Sequence, residues 1–419
     1  MKVLIKQAHI ICPSSPFNGQ TKDILITDGI ITSINDSIEE KADQLMEKEG
    51  LHISIGWMDV FADFGDPGYE FKETITTGAS AAAAGGFTDV MLMPNSNPVV
   101  HNKSQVEYII QKSREEVVSI YPIGAVTKNA EGMALSEMYD MYQTGAIAFS
   151  DGINSIQNGG LVLKALEYVK TIDATIIQVP DDKSIGTNGL INEGIISTQL
   201  GLPGKPAMAE ELMVARDIKL TRHADSRLHF TGISSAKSLE YINSAKEAGL
   251  KVSCSVTPYH CCFCDEDLTT YDTNLKVNPP LRNRADMMAM REALINGTID
   301  CIASHHQPQN WDSKTCEFEY AGYGMTGLET LFAVINSVGC PLEKFVKMQT
   351  INARNIFNIP VPEIKEGATA CLSLFCPEAV FIYEENNIRS KSKNSPFIGK
   401  TFKGKVIGII NKNKVYLNN

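Results

Sequence analysis

The stretch from Asp59 to Pro98, DVFADFGDPGYEFKETITTGASAAAAGGFTDVMLMPNSNP, is the part of the sequence whose reading decides the fold. DVFAD is a short apolar run that stops at the Gly/Pro-punctuated loop Gly65-Asp66-Pro67-Gly68. TITTGASAAAAGG is dominated by alanine, the best helix former. It closes on Gly85-Gly86, a residue type that ends helices because it enters left-handed backbone without a Cβ penalty. FTDVMLM is then a continuous apolar run of strand length. Strand, loop, helix, strand is one βαβ unit, and right-handed crossover places the loop after its first strand at the carboxyl edge of a parallel sheet.

Outward from this unit, apolar strands alternate with helical segments. The candidate strands are Gly56 to Phe61, Thr88 to Met93, Ser119 to Val126, Ala146 to Phe149, Thr175 to Val179, Arg227 to Thr231, Lys251 to Val256 and Thr298 to Ala303. Helices with apolar residues three and four apart are read at Gln105 to Glu115, Gly160 to Val169, Ala209 to Ala224, Ala236 to Ala248 and Ala285 to Leu294. Eight strands separated by helices predict an α/β chain built on a (β/α)8 TIM barrel. An open doubly wound sheet would want a GxGxxG phosphate loop after a strand, and none is present. The flanks are patterned differently, with short apolar runs broken by turns. VLIKQAHII and KDILITDGIITSI, with an Asp28-Gly29 hairpin signal, stand at the front, and ATACLSLFCP, AVFIYEEN and KGKVIGIINKNKVYL at the back. A few strands at each terminus are too little for two cores, so residues 1–55 and 365–419 are expected to form one composite, antiparallel β-sandwich beside a barrel of residues 56–364.

The 419 residues are 43% apolar and 21% charged, enough to bury a large core. A net charge of -11 without a basic stripe argues against binding nucleic acid or a membrane surface. The one basic segment, Arg389 to Lys393, reads as a solvated loop. Ten cysteines are scattered with no CxxC pair matched by a distant second one, and the cluster Cys261, Cys262 and Cys264 has a strand-like context, so free buried thiols in a reducing compartment are expected. MKVLIKQAHIIC reads as a strand rather than a signal peptide, and no 18-residue apolar run follows, so a cytoplasmic location is expected.

The opening stretch also resembles the dihydroorotases of the amidohydrolase superfamily. Their pattern is Asp-x-His-x-His-x-Arg-x-Pro-Gly, a helix ending in GGFT and a strand ending in MPN. Asp59, Pro67, Gly68, Gly85 to Thr88 and Met93 to Asn95 match it, whereas Phe61 and Asp63 stand at the two histidine positions and Gly65 at the arginine. Downstream, Asp151 in FSDGIN resembles a family aspartate that faces the metals, although an acidic residue before a glycine is also an ordinary turn former. Ile191-Asn192-Glu193-Gly194 resembles Met-His-Glu-Gly with Asn192 in place of a ligand histidine. Gly232 stands where a strand-end histidine is expected, and His229, on the face of residue 231, does not point to that place. SVTPYH (255–260) and KVNPPLR (276–282) match family segments, and TIDCIASHHQP resembles GTIDxIATDHAP with His305 at the catalytic aspartate, followed by His306. The tail segments Ser390 to Gly399 and Lys403 to Val406 also look like the family's, so the resemblance covers nearly the whole chain.

What the resemblance implies is a scaffold kept and a chemistry changed. Hydrolysis of a cyclic amide by a dinuclear zinc site needs about three protein ligands per metal and a base. The corresponding positions Asp59, Phe61, Asp63, Asp151, Asn192, Gly232 and His305 hold no ligand histidine, so no metal or other cofactor is expected. Asn95 and Asn278 are the substrate-contacting positions by resemblance. No residue is confidently catalytic, and His305 and His306 are expected to lie near an acidic residue in a closed, partly apolar pocket, standing in for a cation. Three functions follow: a non-catalytic dihydroorotase homologue of pyrimidine biosynthesis that scaffolds aspartate carbamoyltransferase; an active cyclic amidohydrolase with altered zinc ligation through Asp63, Asp151, His305 and His306; or a metal-free binder of a small carboxylated ring. A homo-oligomer is expected in each.

Overall fold

The computed structural model describes residues 1–418. The chain begins with β1 (Lys2–Ile10), β2 (Thr21–Thr27), β3 (Ile30–Asn35), β4 (Gln44–Glu47) and β5 (His52–Ile55). The barrel region carries β6 (Trp57–Ala62), β7 (Phe87–Leu92), β8 (Ser119–Gly124), β9 (Ala148–Phe149), β10 (Thr175–Gln178), the short pair β11 (Ile191–Asn192) and β12 (Gly204–Lys205), then β13 (Arg227–Phe230), β14 (Val252–Val256) and β15 (Cys301–Ile302). Last come β16 (Cys371–Ile382), β17 (Thr401–Asn411) and β18 (Lys414–Leu417).

Strands β6 to β10 and β13 to β15 form an eight-stranded parallel sheet in sequence order, and each overlaps one of the eight apolar runs. The sheet closes where the chain beyond β15 returns to β6: Asp63 N–H donates to His306 O at 2.8 Å, and Ala62 and His306 form a parallel bridge. Met58, Val60, Met91, Ile123, Ile177 and Ala303 pack inside this barrel, while Trp57, Phe87 and the alanines of the helix Ile75–Ala84 pack on its outer side. That helix starts on a Thr74/Thr77 capping box and ends at Gly85. Gly86 follows at φ +91, and a Cβ there would lie 2.7 Å from the Trp57 ring, so conformation and crowding both demand glycine.

The other large sheet runs β18-β17-β16-β5-β1-β2-β3, with β4 also on β1, and so joins both termini. It bends over a core of Val3, Ile5, Ile24, Ile53, Leu372 and Leu374. Ile31 N–H donates to Ala368 O at 2.9 Å, drawing β3 against the segment that leads into β16, which gives the β-sandwich. It is not wholly antiparallel as the hairpin signals suggested, because β1 pairs in parallel with both β4 and β5. Ser373 fastens it to the barrel by accepting from Trp57 N–H at 2.9 Å and donating to Gly86 O at 2.6 Å.

Two local expectations are corrected. Cys261 and Cys262 lie on a short helix, Pro258–Cys262, because Thr257 caps it and Pro258 stands at its first turn, where a missing N–H costs nothing. The thiols are nonetheless free and mostly buried. The basic tail segment is not a solvated loop either: Arg389 and Lys391 face outward while Ser390, Ser392 and Asn394 are buried. Ser390 Oγ and Lys391 N–H donate to Glu73, Ser392 Oγ donates to Lys72 O at 2.6 Å, and Asn394 Nδ2 donates to Gly324 O at 3.1 Å. The segment is a strap across the loops at the barrel mouth. No helix among the described residues is long and apolar enough to cross a membrane.

Candidate functional site

The carboxyl ends of the barrel strands surround a cavity of about 440 Å³. Its polar lining includes Asp63 after β6, Asn95 after β7, Asn278 after β14 and His305 after β15, with Lys72 and Tyr323 at the side, and Val99, Ile153 and Val179 supply apolar wall. The sequence-predicted positions Asp63, Asn95, Asn278 and His305 therefore come together. Asp59, Phe61, Asp151, Asn192 and Gly232 are not part of the lining.

Each of the polar residues among these is committed to a protein partner. Asp59 is fully buried, and its two oxygens accept the N–H and O–H of Ser304 at 2.7 and 2.8 Å. Burial pushes its carboxyl up to about 6, with Ser304 opposing that rise. Asp151 accepts from Thr127 N–H at 2.8 Å and Thr127 Oγ1 at 2.5 Å, and burial likewise raises it to about 6. Asp63 Oδ1 accepts from Gly65 N–H at 2.8 Å, closing a turn. Asn192 donates to Asp265 at 3.1 Å and accepts from Arg282 at 3.3 Å. Asn95 is used across the mouth, donating to Asp151 O and accepting from Ile153 N–H. Asn278 Oδ1 accepts from Lys205, whose ammonium also pairs with Asp181 at 2.6 Å.

His305 does not reach an acidic residue, contrary to the expectation that it replaces a cation. Its Nε2 lies 2.8 Å from Thr231 Oγ1, and its ring packs on Phe61 with centroids 4.8 Å apart. Burial drives the imidazole down to about 3, helped by His260 and His229, so the ring is neutral. Gly232, at φ +72, faces the ring edge: a Cβ there would lie 2.7 Å from His305 Cε1. The glycine and the two rings pack together beside the cavity. His306, one residue on, points elsewhere. Its Nδ1 accepts from Gly327 N–H at 3.2 Å and its Nε2 faces Glu73 Oε2 at 3.4 Å, with both side chains fully buried. Glu73 is buried too, yet His306, Ser390 and Thr77 hold its carboxyl below the usual range.

His229 stays on the face of residue 231 as its strand parity requires, 2.8 Å from Ser253 Oγ and 3.1 Å from Ser255 Oγ. Thr231, Glu73, Lys72 and Lys205 were not singled out by the sequence. A hydroxyl in a strand and lysines in loops carry no pattern of their own, and only Thr231's place beside Gly232 was a hint. Among the described residues, no three His, Cys, Asp or Glu side chains converge on a point that would hold a metal ion. With Asp59, Asp63 and Asp151 bound to separate donors and His305 to a hydroxyl, this set does not fit a dinuclear zinc centre.

Residues 52–238 match the family model described as Dihydro-orotase-like. The chain is 40% identical over 414 residues to the dihydroorotase of Syntrophus aciditrophicus, covering 97% of each chain. It is 38% identical over 410 residues to that of Pelotomaculum thermopropionicum, covering 96% of each. Among solved structures, the L-hydantoinase (dihydropyrimidinase) of Arthrobacter aurescens shares the fold with a TM-score of 0.84 at 20% identity, over 99% of this chain and 96% of that one. The dihydropyrimidinase of Brevibacillus agri does so with a TM-score of 0.82 at 18% identity, over 100% of this chain and 95% of that one.

Proposed function

Because this chain belongs to the dihydroorotase family, we propose that it is a non-catalytic member that works as an assembly subunit beside aspartate carbamoyltransferase in pyrimidine biosynthesis. The observation that carries the non-catalytic reading is the packing of His305 on Phe61 opposite Gly232. Opening dihydroorotate to carbamoyl aspartate, or closing it, requires an activated water and a base that shuttles its proton. A carboxylate at position 305 would serve as that base. The His305 imidazole, which burial drives down to about 3 and whose Nε2 is engaged by Thr231, holds an abstracted proton poorly. The four positions that hold ligand histidines in the family pattern carry a phenyl ring, a carboxylate, an amide and a bare glycine, at Phe61, Asp63, Asn192 and Gly232. The loops, the strap and the mouth cavity are meanwhile intact, which suits a chain retained for its surface and shape. The partner and a homo-oligomeric state rest on the family resemblance alone.

The test uses the purified chain in three measurements: elemental analysis, dihydroorotate turnover in both directions, and sedimentation with and without aspartate carbamoyltransferase from the same source. The expected results are no stoichiometric zinc, no turnover, and a joint species heavier than either protein. Phe61→His should leave turnover absent, since ligands of a metal site act as a unit. Two tightly held metals, or turnover by the unmodified chain, would instead make it an active cyclic amidohydrolase ligated through Asp63, Asp151, His305 or His306. Separate sedimentation would remove the assembly role.

A further inference from the structure

Two histidines stand side by side on the sheet that joins the termini, outside the barrel. His9 on β1 pairs in parallel register with His52 on β5, and the row continues to Thr21 on β2 at one end and Phe375 on β16 at the other. Residues directly opposite on neighbouring strands project from the same face, so the two imidazoles meet. Their ring centres are 5.0 Å apart and their planes are inclined at 65°. Each Nδ1 is already engaged. His52 Nδ1 lies 2.9 Å from Gly50 O, and because a carbonyl only accepts, this nitrogen carries the proton. The neutral His52 ring therefore has its bare lone pair on Nε2. His9 Nδ1 lies 3.3 Å from Thr21 Oγ1. Among the described residues neither Nε2 has a hydrogen-bond partner, and neither is sealed from solvent. Burial lowers the His52 imidazole, with Gly50 O opposing and His9 assisting, which keeps that lone pair free.

A histidine that ligates a metal through one nitrogen commonly donates the other N–H to a backbone carbonyl, which fixes the ring and raises its basicity. Gly50 holds His52 in that way. The spacing fits as well. A metal about 2.1 Å from each Nε2, with each ring centre about 1.2 Å further back and an angle of about 90–110° at the metal, sets the ring centres about 4.7–5.4 Å apart. The observed 5.0 Å falls inside that interval. Parallel stacked rings would hold their in-plane lone pairs side by side, whereas inclined planes let them converge, and the broad χ2 torsion of histidine lets the rings turn into line. We propose that His9 and His52 form a two-imidazole chelate for a divalent transition ion, copper(II) or nickel(II) before zinc, with water on the remaining positions. Imidazole suits these ions, and copper binds tightest of the divalent series. Zinc ranks behind because its closed structural sites take four protein ligands and this one offers two. The exposed Glu378 carboxylate adds negative charge close enough to act on His52, but it pairs with Lys403 at 2.6 Å and is not counted as a ligand. The ion clasps β1 to β5, whose register spans two residue pairs, and so pins the amino-terminal strand to the strand that leads into the barrel. This site goes beyond the proposed function and does not depend on it.

Titration of the full chain, first dialysed against a chelator, with copper(II), nickel(II), zinc(II) and magnesium chlorides tests the site. The expected result is one equivalent of copper(II) whose electron paramagnetic resonance shows two nitrogen ligands, and a melting temperature that rises with copper or nickel and not with magnesium. His9→Asn and His52→Asn should each weaken copper binding by about tenfold or more, since one imidazole cannot chelate. The double variant should lose little further, because the two ligands act as a unit. His52 also stacks on Phe375, so should His52→Asn fail to fold, His9→Asn and the nitrogen count of the unmodified chain decide the question. Undiminished binding by His9→Asn, a spectrum of one nitrogen or none, an equal response to magnesium, or no binding at micromolar ion would overturn the proposal. The double variant separates this site from the proposed function. Tightly held zinc that persists in it sinks the non-catalytic reading, whereas a parent and double variant that bind copper alike sink only the histidine site.

Discussion

Substituting Gly232 measures how far a packed imidazole has taken over the barrel mouth. In Gly232→Ala the new methyl would lie 2.7 Å from His305 Cε1 and 3.3 Å from Nε2, closer than atoms in contact can approach. The ring has little room to yield, since Thr231 holds its Nε2 and Phe61 stacks on its face. Overpacking of this kind costs about 1–3 kcal/mol. Placing alanine at φ +72 adds about 1 kcal/mol, the left-handed penalty of an L-residue. The expected loss is therefore about 2–4 kcal/mol in urea unfolding followed by circular dichroism. A double-mutant cycle separates the two parts. In a His305→Gly background, which suits φ +43 and removes the ring, Gly232→Ala should cost only the backbone share, leaving a coupling of about 1–3 kcal/mol. A coupling within about 0.5 kcal/mol of zero would refute the reasoning, because the glycine would then answer to its backbone alone and not to the histidine.

Three further outcomes are expected. Asp59 has a folded pKa raised to about 6, so its contribution is fully present below the unfolded carboxyl pKa of about 4 and is lost as pH rises through 6. Asp59→Asn should remove about 3 kcal/mol of that decline, read as the difference between urea curves of variant and parent from pH 4 to pH 7; parallel curves would count against it. Arg354 pairs with Asp89 at 2.5 Å, with both side chains largely buried, so Arg354→Met should cost about 3–5 kcal/mol by stranding the carboxylate. Combining it with Asp89→Leu should recover most of that loss. Glu73→Leu strips the acceptor from Ser390 and Lys391, and cleavage by a protease should then move to residues 388–395, whereas an unchanged cleavage pattern would show that the strap is held elsewhere.

The opening stretch was legible as a βαβ unit because its signals are local: an alanine-rich run, a glycine pair and two apolar runs of strand length. Repeating that reading along the chain located all eight barrel strands, since strands buried on both faces are continuous apolar runs wherever they occur. The replacements at Phe61, Asn192, Gly232 and His305 were equally visible, because what a phenyl ring or a glycine cannot ligate follows from its atoms. Partners were not. His305 and His306 are adjacent, yet one faces Thr231 and the other Glu73, residues 74 positions before the first and 233 before the second. His305 lies beyond the end of β15 in left-handed backbone, at φ +43, which turns its side chain away from that of His306, and which group waits on each side depends on barrel closure rather than on any neighbouring residue. The strap shows the same limit: Arg389 to Lys393 has the composition of a solvated loop, and its alternation of inward serines with outward charges acquires meaning only against Glu73, more than 300 residues earlier. Local chemistry set the elements, whereas long-range packing decided which partner each side chain of the mouth takes.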